Sequence, residues 1–138
     1  MKEQTLPGGK PAVAPASCFV SHAWMCQFDD IVDALNQHDQ KYPDTYFWFD
    51  LVCNNQHGIE AKPFEWFCTT FKESIRDIGS VLLVMTPWDD PIPLQRVWCL
   101  FGMYRNIDVL ADMHTAIPSS QREAFKAAIG GTSRRRHY

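Results

Sequence analysis

The run "SVLLVMT", Ser80 to Thr86, constrains the fold most. It follows Gly79 and precedes the proline-rich "PWDDPIP", so it is bounded like a short strand rather than a helix segment. It reads as fully buried. "TYFWFDLV", Thr45 to Val52, has the same character, apolar on both faces. Continuous apolar strands suit a sheet covered on both sides. "CFVS", from Cys18 to about Ser21, supplies another strand, and "IDVLADM" a weaker fourth.

The segments between these strands read as helices. In "FDDIVDALNQHDQKY", Phe28, Ile31, Val32 and Leu35 recur at i, i+3, i+4 and i+7, with acids and amides opposite. Pro43 marks the end of that helix. Pro63 opens the next helix, whose core positions are Phe64, Phe67, Phe71, Ile75 and Ile78, with Gly79 as its C-cap. Leu94, Val97, Trp98, Phe101 and Tyr104 mark a third. "SQREAFKAAI" is the last, with Ser120 and Glu123 spaced as a capping box and "GG" as its end.

The order β-α-β-α-β-α-β-α implies a parallel sheet with right-handed crossovers. The expected class is α/β, a three-layer flavodoxin-like fold. Its sheet has four or five strands in the order 2-1-3-4, with helices on both faces. In such a sheet ligands sit at the carboxyl ends of the strands, where the order reverses. Here that point falls between strands 1 and 3, at the loops "SHAW" and "TPWDDP".

Composition narrows the function classes. With 46% hydrophobic and 13% aromatic residues the chain can bury a core. A formal net charge of -3 favours neither nucleic acid nor an acidic membrane as partner. No apolar stretch is long enough to span a membrane. Five cysteines, an odd number with no C-x-x-C, suit reduced, buried thiols and a cytoplasmic location. Residues 1–16 read as a flexible Pro/Gly/Ala-rich leader, 17–130 as the domain and 131–138 as a solvated basic tail.

"FVSHAW", "FWFD", "FKESIRDIGSVLLVMTPWDDP" and "RVWCL" resemble the TIR (Toll/interleukin-1 receptor) domain superfamily, and more narrowly a TIR-like variant of microbial eukaryotes. Ser21, Asp50, Thr86 and Trp98-Cys99 stand in the order of the family pattern, from about Cys18 to Tyr104. The resemblance implies a doubly wound sheet and one of two roles. One is assembly with like domains, which requires no cofactor. The other is cleavage of the nicotinamide–ribose bond of NAD, with NAD as substrate or ligand. The family's hydrolases use the glutamate of "WC-x-x-E", and this chain has Gly102 at that position.

Gly102 therefore weighs against catalysis. Glycosyl cleavage passes through an oxocarbenium-like state that a carboxylate normally handles, and glycine offers none. Asp89 and Asp90, after strand 3, are the candidates for a relocated carboxylate. Asp50 ends strand 2, and Asp108 begins strand 4 at the wrong end of the sheet. A group displaced by about 1 Å can cost about 100-fold in rate, so rescue from these positions is disfavoured.

The other signals each carry a plainer alternative. Ser21 and His22 could floor a ribose or phosphate site, or cap a turn and satisfy a carbonyl. Trp24 and Trp88 could stack on a ligand ring, or seal the sheet edge. Trp98 sits on an apolar helix face, and Cys99 reads as a packed thiol rather than a nucleophile. Cys53, His57, Cys26 and His22 contain the residue types of a zinc site, but a loop histidine and a buried thiol explain them better. Ile59 and Phe64, in and after the loop "CNNQHGIEAKPFEW", are the interface candidates. The fifth strand and helix of a complete domain of this kind are not visible after Ile129, which would leave the C-terminal sheet edge open to association.

Overall fold

The computed structural model describes residues 4–23, 25–53, 63–90 and 110–132. The elements run β1 (Cys18–Ser21), α1 (Phe28–Lys41), β2 (Phe47–Trp48), α2 (Asp50–Cys53), α3 (Phe64–Ile78), β3 (Ser80–Val84), β4 (Asp112–Ala116) and α4 (Ser119–Thr132). The four strands form one parallel sheet in the order β2-β1-β3-β4. This is the expected topology.

Alternation along the strands divides the core between two faces. Val20, Leu82, Val84 and Ala116 pack with Ile31 and Ala34 of α1. Phe19 and Val81 pack with Ile75 of α3 on the other side. The sheet is thus the middle of three layers. β3 is buried from Val81 to Val84, as its apolar run requires.

Helix boundaries follow local chemistry. Gly79 ends α3 in the left-handed region, with φ of 79°, and its N–H donates to the Ile75 carbonyl at 2.8 Å. A side chain there would be strained, which accounts for the glycine. The side chains of Phe64, Phe67 and Phe71 lie outside the described set.

Several boundaries differ from the sequence reading. The buried face of α1 is Ile31, Ala34 and His38, whereas Phe28 is 61% exposed and Val32 is also exposed. The stripe is real, but Phe28 and Val32 project beyond the packed layer. β2 is only two half-buried residues at the edge of the four strands, Phe47 packed on the α1 side and Trp48 on the α3 side, and it does not run through Val52. Its chain turns at Phe49, which is buried against the α1 face, and Asp50 then opens α2 rather than ending a strand. β4 lies further along than "IDVLADM" and is half polar, since one face alternates outward. Cys53 is exposed rather than buried.

α4 departs most. It starts at Ser119, so Ser120 lies inside it, and it runs through both glycines of "GG" to Thr132. Its first turn is held by α1: the Ser119 N–H donates to Asp33 Oδ2 at 2.6 Å, and the Ser120 hydroxyl donates to Asp30 Oδ1 at 2.8 Å. These contacts replace the expected local capping box. The leader is also engaged. The Leu6 N–H donates to the Lys10 carbonyl, Lys10 pairs with Asp44, and the Tyr46 hydroxyl donates to the Pro11 carbonyl at 2.9 Å.

Candidate functional site

The carboxyl ends of β1 and β3 lie side by side, with Ser21 paired to Leu83 in the register. Ser21, His22 and Thr86, the expected polar residues of this switch point, are all buried there. The first chemical feature is a histidine–carboxylate pair. His22 Nε2 lies 2.6 Å from Asp50 Oδ1, with the His22 side chain 2% and the Asp50 side chain 18% exposed. β1 delivers the histidine and the turn into α2 delivers the aspartate. The sequence singled out both residues but not their contact, because 28 positions separate them.

The other ring nitrogen, Nδ1, lies 3.2 Å from the Ala23 carbonyl oxygen. The ring also tilts against Phe49, with centroids 4.9 Å apart. Each nitrogen thus lies within hydrogen-bond distance of a protein oxygen, and a neutral ring, with one N–H, donates to one of the two. A general base needs a ring nitrogen within hydrogen-bond reach of a substrate proton, and His22 has neither nitrogen turned to that purpose. The arrangement suits a buried polar lock between the end of β1 and the start of α2.

The second feature pins the loop after β3. Gln121 of α4 accepts from the Trp88 N–H at 2.7 Å and donates to the Thr86 hydroxyl. The Trp88 ring packs edge-on to Phe125, with centroids 5.5 Å apart. Trp88 thus packs the loop after β3 against α4. Asp89 and Asp90 follow it and are exposed. Gln121 was not legible as a site residue. It occupies an ordinary helical position, and only the placement of α4 beside the loop gives it a role.

The remaining expectations fall elsewhere. Trp24, His57, Ile59, Trp98, Cys99, Gly102 and Asp108 lie outside the described residues, as does the side chain of Phe64. Burial raises the Cys26 thiol above its ordinary value, partly offset by a hydrogen bond involving the Ala23 backbone. No helix among the described residues is long and apolar enough to cross a membrane.

No family model, curated protein or solved structure matches the chain. The fold and the site geometry therefore define a class by themselves: a parallel three-layer α/β domain with a closed polar lock at its switch point.

Proposed function

We propose that this chain is a TIR-like signalling module of the cytoplasm that acts by assembly with itself or with like domains, its nucleotide-type cleft catalytically silent. The ordered motifs and the 2-1-3-4 parallel sheet support the family reading. The observation that carries the silent cleft is the engagement of both His22 ring nitrogens, by Asp50 and by the Ala23 carbonyl. That leaves the polar residues of the switch point doing structural work. Gly102 removes the glutamate that the resemblance would otherwise supply.

The competing reading is an NAD glycohydrolase that uses Asp89 or Asp90. Incubating the purified chain with NAD and following nicotinamide release separates the two. The expected result is no turnover above a buffer control. Turnover that disappears in Asp89→Asn or Asp90→Asn would replace assembly by hydrolysis. Light scattering over a concentration series tests assembly itself, and a monomer at every concentration, unchanged by Ile59→Asp or Phe64→Asp, removes it.

A further inference from the structure

A second polar concentration lies beneath the C-terminal half of α1, away from the switch-point loops after β1 and β3. A cavity of about 330 Å³ opens there between α1 and β4. His38 and Lys41 line it from α1, Tyr42 from the C-cap of that helix and His114 from β4, with Leu82 and Ala116 among its apolar residues. Three of these side chains form a mutual triangle of rings. His38 and His114 have centroids 5.1 Å apart, Tyr42 and His114 4.9 Å, and His38 and Tyr42 4.9 Å.

His38 is 7% exposed, yet among the described residues its imidazole makes no hydrogen bond. The His114 imidazole and the Tyr42 hydroxyl make none among them either. Buried polar atoms are almost always paired with protein, water or a ligand. Packing explains why rings meet here, and the helix C-terminus explains a basic residue such as Lys41. Neither accounts for a buried imidazole beside a cavity that makes no hydrogen bond among the described residues.

The charge balance chooses the ligand. Among the described residues lining the cavity, Lys41 is the one formally charged side chain and none is a carboxylate. Asp39, the acid nearest in sequence, accepts from the Thr45 N–H at 3.3 Å. The Gln37 amide donates to Asp33 at 2.7 Å and to the Ile117 carbonyl at 3.2 Å, so it is committed to the α1–α4 contact. What remains is an ammonium, two imidazoles, a phenol and the Thr115 hydroxyl beside aliphatic residues.

We propose that this cavity binds a small organic anion, a carboxylate or phosphate monoester on a short apolar body. Lys41, His38 and His114 hold the anionic head, and Leu82, Ala116 and the Tyr42 ring receive the body. The volume falls at the small end of ligand pockets, which begin at roughly 300 Å³.

Binding of this kind takes up protons. Burial first, and the neighbouring His114 second, hold the His38 imidazole below its ordinary value, with Lys41 acting the same way and Asp39 opposing. An anion in the cavity favours the charged ring, so affinity rises as pH falls through the histidine range.

Calorimetry on the full chain tests the site, with benzoate, phenyl phosphate and inorganic phosphate as probes and histidine ring resonances followed by NMR. Benzoate stays ionised throughout, so its pH dependence reports on the protein. The expected result is saturable binding, tighter at about pH 6 than at about pH 8, with two histidine resonances moving. Lys41→Gln and His114→Gln, with folding checked by circular dichroism, should each weaken binding by about tenfold. Preference for benzoate or for phenyl phosphate identifies the head group. The proposal fails if no probe saturates, or if both variants bind as the unaltered chain does. Zinc shifting the same histidines while no anion binds would also overturn it.

Discussion

Asp33 of α1 caps α4 across 86 positions of sequence. Its carboxylate accepts from the Ser119 N–H at 2.6 Å and from the Ser119 hydroxyl at 3.1 Å. The same carboxylate accepts from Gln37, whose carbonyl oxygen accepts from Arg122. One carboxylate therefore serves as helix cap and interhelical clasp. The Ser119 backbone bond is the main reason that its pKa is lowered from the ordinary carboxylate value.

Replacing Asp33 by alanine should lower stability by about 1 kcal/mol, the ordinary worth of a helix cap. Urea denaturation measures it. Because the folded carboxyl has the depressed value, its contribution is present above the unfolded value of about 4 and is lost as pH falls through the folded one. The unaltered chain and Asp33→Ala should therefore converge in stability below about pH 4. A constant gap through that range would show that the carboxylate's charge is not involved.

His38 also predicts a loss of stability toward acid, in a higher pH window. Its folded value is lowered by burial and by His114, so the unfolded chain binds the proton more readily. Stability is full above the unfolded value of about 6.5 and declines as pH falls from there toward the folded value. Denaturation in a buffer free of small organic anions should show this slope, and His114→Gln should flatten it. An unchanged slope in the variant would assign the effect to burial alone.

Gln121 should govern the loop after β3. Gln121→Ala removes both the acceptor for the Trp88 N–H and the donor to Thr86. Thr86 is buried, so a lost partner there should cost about 1–2 kcal/mol. Hydrogen exchange at the Trp88 amide should accelerate, while exchange in β1 changes little. Equal acceleration throughout would mean global destabilisation rather than a loosened loop.

The legibility of these features follows their range. β1, β3 and the Gly79 cap were readable because a short apolar run and a glycine at a helix end are local signals. β2 and β4 were harder. An edge strand buries less, so β2 shrank to Phe47–Trp48 and β4 carries the polar pattern of Asp112–Ala116. Phe28 fits the α1 stripe by period but stands where nothing covers it, which periodicity cannot register. Ser21, His22, Asp50 and Thr86 lie toward one end of the sheet because the parallel topology sends the strand ends there. Their partners were not legible, since the Asp50 contact spans 28 positions and the Gln121 contacts span 33 and 35. The His38–His114 pair escaped for a further reason. Inside an amphipathic helix, a histidine on the buried stripe resembles a polar-face residue until the facing strand is placed.

The His22–Asp50 pair separates a structural lock from a catalytic dyad. Removing one member of a buried, charge-assisted pair strands the other and costs several kcal/mol at full burial. Asp50 is 18% exposed, so Asp50→Ala should cost less, about 1–3 kcal/mol. His22→Gln can keep one hydrogen bond to Asp50 and should recover part of that loss. Under the lock reading, urea midpoints follow that order, and no variant alters nicotinamide release from NAD. The sharper comparison uses Gly102→Glu, which restores the carboxylate that the resemblance calls for. Activity gained in Gly102→Glu and retained in Gly102→Glu with His22→Gln would keep His22 structural in a cleft otherwise competent. Activity gained and then lost with His22→Gln, at unchanged stability, would instead make His22 a participant, and the silent cleft would be one residue from function.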